Sequence, residues 1–316
     1  MNPIISECHW EITKNCNLAC IHCISSIGNK RELNTQRVLR VIDKLSNLEC
    51  KELYFTGGEP LFRKDIFQIL KEAKGKKFKI GLLTNGTLIN SKNIKKIKSL
   101  VDEIGLSLDG SSPQVNDQIR GVGTFSQIIK AIKSIKNNRI PFTLYITITK
   151  INLPDFENIL RLAKHFGIDS LRINEVTPRG KAWKNRKCLV LDPYDRANLR
   201  EYLVKRLKKV FNLELKDFTT DNCCDLKSAT AFLSPTGYLY PCIEIFQKKP
   251  GLHLGNIFDF RPREYSKHRN LLSKFKKRKC PYQLTRASGF TLCLDDPLRE
   301  CPMLSELHSC CSQKHN

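Results

Sequence analysis

Between residues 9 and 174, short runs rich in β-branched and aromatic residues alternate with longer stretches of helical periodicity, and the connections are only a few residues long. No other feature narrows the possible folds so far. The strand-like runs cover 9–13, 53–56, 78–84, 103–108, 142–149 and 170–174. The helical stretches cover 34–46, 65–74, 91–100, 125–137 and 154–166, with Asn34 or Thr35 placed to cap the first. A strand returned by a helix pairs parallel with its predecessor, and parallel sheets are covered by helices. Six strands fall short of the eight in a closed barrel. The expectation is therefore an α/β fold, a partial (β/α)6 TIM-like barrel. Polar residues and glycines gather just after each strand, the edge where such sheets build their sites.

Beyond Pro193 the pattern changes. Residues 194–210 read as one more basic amphipathic helix. Eight of the 14 cysteines then follow Asp217, among hairpin-like pieces such as 231–240, where Ser234-Pro235-Thr236-Gly237 makes a turn. A boundary near 212–218 divides the chain into a barrel, 1–215, and a cysteine-rich extension, 216–316. With 316 residues, 41% of them hydrophobic and 27% charged, the chain can bury a large core and shows no disordered domain. No apolar run nears the ~18–20 residues that span a bilayer. The first residues lack the basic and apolar regions of a signal peptide. A cytoplasmic location is expected, where so many cysteines point to metal or redox chemistry rather than disulfides. The net charge of +23 attracts polyanions and acidic peptides. It is spread over 74–79, 92–98, 205–209 and 274–279, where a solvated helix face explains it, so nucleic acid is not an expected partner.

The loop after the first strand reads Cys16-Asn17-Leu18-Ala19-Cys20-Ile21-His22-Cys23. Three thiolates within eight residues suit an iron–sulfur cluster, whose cube has four ligand positions, so three local ligands leave one iron open to a small molecule. Structural zinc is the alternative. In its strand context the motif resembles the Cys-x3-Cys-x2-Cys signature of the radical S-adenosylmethionine superfamily, whose fold is a partial (β/α)6 barrel. One departure is Ile24, where the family often has an aromatic residue. His22 reads as a loop residue rather than a fourth ligand.

The resemblance implies a [4Fe–4S] cluster on Cys16, Cys20 and Cys23 that cleaves S-adenosylmethionine. Thr56-Gly57-Gly58-Glu59-Pro60, after the second strand, looks like the family's Gly-Gly-Glu motif. Its glycines let the backbone approach closely, and the Glu59 carboxylate would pair with the methionine ammonium. Thr84-Asn85-Gly86 and Ser107-Leu108-Asp109-Gly110 stand at matching strand ends; Thr84 and Asn85 are taken as binding residues, and Ser107 and Asp109 could meet ribose hydroxyls or the methionine portion. Arg120 resembles the arginine that pairs with the methionine carboxylate. Thr147, Thr149, Asn152 and Glu175 are further candidates for the adenine or substrate side.

Cys224 and Cys242 enclose the 231–240 hairpin in the spacing Cys-x12-Gly-x4-Cys, which resembles the start of a SPASM or twitch extension. The later SPASM spacing is not kept: Gln283 stands where a cysteine would follow Cys280. One auxiliary iron–sulfur cluster is expected, with Cys280, Cys293 and Cys301 as candidates to complete it and a single zinc as the alternative. The resemblance further implies a low-potential electron donor of flavodoxin or ferredoxin type. The expected reaction is hydrogen abstraction from a ribosomally made peptide or protein, leading to a cross-link, a thioether or epimerisation. Cys16 lies too near the start for a preceding leader-binding domain, so recognition would fall to a separate partner or to the barrel. Radical chemistry in tetrapyrrole or cofactor biosynthesis is the alternative. A non-catalytic, metal-bound nucleic-acid adaptor is a third reading, from charge alone.

Overall fold

The computed structural model describes residues 5–24, 31–168, 170–212, 219–222, 230–240, 251, 253–261, 283–287 and 290–294. Six parallel strands in chain order make its centre: β1 (Glu7–Thr13), β2 (Glu52–Gly57), β3 (Lys79–Thr84), β4 (Glu103–Ser107), β5 (Phe142–Ile148) and β6 (Leu171–Glu175). Between them run α1 (Thr35–Asn47), α2 (Ile66–Gly75), α3 (Ile94–Leu100), α4 (Pro113–Arg120), α5 (Thr124–Asn137) and α6 (Phe156–His165). After β6 come α7 (Gly180–Lys184), α8 (Arg186–Leu189) and α9 (Pro193–Phe211). The α/β barrel architecture expected from the sequence is thus present. Asn34 caps α1, its side chain accepting from the Arg37 amide at 3.0 Å.

Strand alternation sorts the sheet into two faces. Cys8, Trp10, Leu53, Phe55, Ile80, Leu82, Leu106, Leu144, Ile146 and Ile173 are wholly buried against the helices. The helices answer at i, i+3, i+4 and i+7: Val38, Val41, Ile42 and Leu45 on α1, and Phe156, Ile159, Leu160 and Ala163 on α6. The opposite face carries His9, Tyr54, Gly81, Gly105, Tyr145 and Arg172. His9 stacks on Tyr54 at 4.7 Å, and Arg172 lies over Tyr145 at 5.7 Å. Gly81 makes room for Tyr54, since a Cβ there would stand 2.2 Å from its ring. A hydrogen bond with His9 holds the Glu7 carboxyl below its ordinary value against burial, and the charge of Arg172, from the far strand of the six, adds to it. That reach from β6 to β1 puts both residues inside a curved sheet. The polar face is the lumen.

The chain beyond α9 does not form a sheet of its own among the described residues. β8 (Thr230–Leu233) pairs parallel with the outer edge of β1, and β9 (Leu239–Tyr240) returns antiparallel beside it. On the other side β11 (Phe290–Leu294) pairs parallel with β6, followed by β10 (Gln283–Ala287) and β7 (Thr219–Asn222). The Ser-Pro-Thr-Gly turn is where the sequence places it, between β8 and β9. The boundary at 215 and 216 falls outside the described residues. No described helix is long and apolar enough to cross a membrane.

Candidate active site

The cysteine loop lies over the C-terminal mouth of the barrel and is tied down from several sides. From β2, the Gly58 amide donates to Thr13 O at 2.8 Å and the Glu59 amide to Asn15 O at 2.8 Å. The approach is so close that a Cβ on Gly57 would sit 2.2 Å from Thr13 O; Gly57 has φ +145. The glycines of the Gly-Gly-Glu motif therefore serve the approach of the cysteine loop itself. From β3, Asn85 Nδ2 donates to Asn17 Oδ1 at 3.0 Å and reaches Cys16 Sγ at 3.8 Å. The end of α4 receives the Ile21 amide at Ile119 O, 3.0 Å away. From α7, the Lys181 amide donates to Cys23 O, also at 3.0 Å, and Asn185 Nδ2 donates to Ile21 O at 3.0 Å.

The Glu59 carboxylate is fully buried and turned inward. Oε1 accepts from the Leu61 amide and from Thr84 Oγ1, and Oε2 accepts from the Asn85 amide at 2.7 Å. Glu59 thus ties the β2 and β3 loops together through Leu61, Thr84 and Asn85. Burial pushes its carboxyl up, against those three hydrogen bonds and the Arg120 charge.

Asp109 has an equally internal role. It is wholly buried; its Oδ1 accepts the Thr147 amide, and Oδ2 meets Arg120 Nε at 2.7 Å and His22 Nε2 at 3.0 Å. The Arg120 contact is a close ion pair, although Asp109 Oδ2 and Arg120 Nε lack the alignment of a hydrogen bond. Burial would raise Asp109, but Arg120 and His22 hold it down at about 2. His22 is thereby anchored to β4, and its Nδ1 is buried without a hydrogen-bond partner among the described residues. Thr149 and Asn152 form a clasp: Asn152 Nδ2 donates to the carbonyls of Asp109 and Thr147, both at 2.9 Å. Glu175 pairs with Arg196 of α9, Nε to Oε1 2.6 Å. Ser107, half-buried, stands on the lumen side of the mouth.

The donor set fits an iron–sulfur cluster. Cys16 Sγ accepts from the Leu18 amide at 3.4 Å, the kind of contact that favours a thiolate. Burial raises Cys16 and lifts Cys20 to about 11, so these two thiols keep their protons until a metal displaces them. Among the described residues no three His, Cys, Asp or Glu side chains are drawn around a single ion. The thiols are ranged along the loop, and a cube takes each on a different iron. Of the second cysteine set, Cys224, Cys242, Cys280 and Cys301 lie outside the described residues. Cys293 is on β11, in register with Asn174.

Sequence reading missed Glu11. It projects from β1 on the lumen side, two residues beyond His9 and in register with Thr56. It is 6% exposed, and its Oε2 has no hydrogen-bond partner among the described residues. Burial lifts its carboxyl to about 7. An acidic residue set between Trp10 and Ile12 was the available signal.

Residues 10–163 match the Radical SAM superfamily. The chain is 34% identical over 178 residues to an AdoMet-dependent heme synthase of Oleidesulfovibrio alaskensis, covering 55% of this chain and 46% of that protein. It is 33% identical over 178 residues to the mycofactocin maturase MftC of Mycolicibacterium smegmatis, covering 54% and 45%. The chain thus spans about half the length of these relatives. In fold it resembles SuiB of Streptococcus suis, solved bound to S-adenosylmethionine, with a TM-score of 0.66, 17% identity, and coverage of 82% of this chain and 64% of that one.

Proposed function

From the match of residues 10–163 to the Radical SAM superfamily, we propose that the chain is an enzyme that cleaves S-adenosylmethionine reductively and abstracts hydrogen from a ribosomally made peptide or protein. The observation that carries this reading is the Cys16–Cys20–Cys23 loop, clamped over the barrel mouth from β2, β3, α4 and α7. Cys16, Cys20 and Cys23 would hold a [4Fe–4S] cluster, which would supply the single electron for reductive cleavage of S-adenosylmethionine to methionine and a 5′-deoxyadenosyl radical. The chain's own residues position and shield. Asn85 and the Leu18 amide support Cys16. Arg120, fixed by Asp109, offers a cation to the methionine carboxylate, and Ser107 a hydroxyl to the ribose. The loop and the lumen walls keep water from the reacting atoms.

The electron would come from a flavodoxin- or ferredoxin-type donor. Cys224 and Cys242, with Cys280, Cys293 and Cys301 as candidates for the rest, would hold one auxiliary cluster in a SPASM- or twitch-like extension after residue 215. Similarity to a peptide maturase favours a peptide substrate. Similarity to heme synthases favours tetrapyrrole chemistry as the second reading.

Anaerobic reconstitution tests the first step. Wild-type protein with dithionite and S-adenosylmethionine should release 5′-deoxyadenosine, and the C16A/C20A/C23A variant should release none above background. Equal release from both sinks the assignment. Stimulation of release by a propionate-bearing porphyrin, and not by a peptide, would move the substrate to the second reading.

A further inference from the structure

The chain is basic throughout, and several described cations on or beside helices have acidic partners. Lys74 pairs with Asp102, Lys76 with Asp43, Lys205 with Glu201, and Arg206 and Lys209 with Glu157. The stretch from Val176 to Leu191 is uniformly basic. It carries Arg179, Lys181, Lys184, Arg186 and Lys187 and no acidic residue. It folds as α7 and α8, and with Lys150, just after β5, it borders a shallow open groove of about 290 Å³ lined by Lys150, Pro178, Trp183, Arg186, Lys187 and Val190. Trp183 is 55% exposed, one of few large apolar side chains left in solvent, and the Arg186 guanidinium lies 4.5 Å over its ring. Neither Arg186 nor Lys187 has an acidic partner among the described residues.

The groove also adjoins the chemistry. The turn leading into α7 backs onto the cysteine loop, where Gly180, with φ +54, packs on the carbonyls of Cys23 and Ile24. On the inner side of the same hairpin Ala182 and Leu189 pack with Ile21. A chain lying in the groove therefore runs along the rim of the mouth, one hairpin away from the cluster loop.

We propose that this groove docks an acidic, aliphatic segment of the peptide substrate, holding it at the rim while another part enters the lumen. This rests on the peptide reading above. The wall of Pro178, Val190 and the Trp183 ring takes apolar side chains, and the three cations at its edge take carboxylates. An exposed aromatic residue with cations also suits single-stranded nucleic acid, so that occupant is an arm of the test. The apolar wall and the maturase relative favour the peptide.

The test uses the full-length reconstituted protein and a fluorescein-labelled 12-residue peptide built from Glu and Leu. Binding is followed by anisotropy, and by the emission of Trp183; the other tryptophan, Trp10, is buried. Saturable binding is expected, weakened roughly tenfold or more in W183A and in R186E/K187E. It should be little changed in K92E/K95E, which alters net charge equally on exposed α3 and its approach. Equal weakening in K92E/K95E, no weakening in the groove variants, or tighter binding of an oligo-dT of the same charge would each overturn the proposal. Release of 5′-deoxyadenosine without peptide should be unchanged in the groove variants. Its absence in wild type would fail the enzymatic reading while the binding result still stands.

Discussion

The mouth of the barrel has two halves, each organised around one wholly buried carboxylate, and the two are satisfied by opposite means. Under β2 and β3, Glu59 is held by neutral donors alone, the Leu61 and Asn85 amides and the Thr84 hydroxyl, and burial wins: its carboxyl is pushed up. Under β4, Asp109 is held by Arg120, His22 and the Thr147 amide, and charge wins: it is pulled down to about 2 despite equal burial. Burial alone thus does not set a carboxyl's ionisation; the charge of its partners does. Glu11, on the lumen side of β1 and without a hydrogen bond to Oε2 among the described residues, is raised by burial against the charge of Lys14.

Substitutions separate the three cases. D109N should be the most damaging, because it leaves the buried Arg120 cation uncompensated. A loss of about 3–5 kcal/mol is expected in urea unfolding. The pH dependence follows the same sign. Asp109 titrates near 3.8 when unfolded and near 2 when folded, so its stabilisation is complete above the first value and is lost as pH falls through the second. D109N should remove that acid-limb slope; an unchanged slope would show that Arg120 and Asp109 are not coupled.

Glu11 should act in the opposite direction. Its carboxyl rises from 4.5 to about 7, so the folded state binds the extra proton and stability falls as pH climbs between those values. The fall is at most about 3 kcal/mol. E11Q should abolish it, seen as converging urea midpoints at pH 5 and pH 7.5. E59Q should have the smallest effect, about 1–2 kcal/mol, because only the Asn85 amide is left facing a donor. If E59Q costs as much as D109N, the contrast between neutral and charged satisfaction fails.

The strand framework and the cysteine loop were legible in the sequence, and the buried carboxylates beneath the loop were not. β1 to β6 announce themselves through alternation and short turns, and the cysteine loop through spacing. The helices α1, α2, α5, α6 and α9 lie within a residue or two of their apolar periodicity. α3 begins three residues later than its pattern suggests, because Asn90 turns the chain first, accepting the Lys92 amide. α4 was missed, although Ser112-Pro113 is an ordinary helix start; it is this helix that delivers Arg120 to Asp109. The roles of Glu59 and Asp109 as struts could not be read from one dimension. A carboxylate at a strand end looks the same whether it faces a ligand or an inward amide 26 residues away. The pairing of β8 with β1 was equally hidden, because partners more than 200 residues apart leave no local signal.

That last pairing has a consequence for biosynthesis. β1 leaves the ribosome roughly 220 residues ahead of β8, which at ~5–20 residues per second means about 10–40 s. During that interval the outer edge of β1 is an open row of backbone donors and acceptors, and the three thiols of the loop that follows it are already synthesised. A newborn chain must keep this edge from pairing with another copy until its own late strand arrives. The strand that leads into the cysteine loop is thus paired on its outer edge only once a segment far downstream has been made.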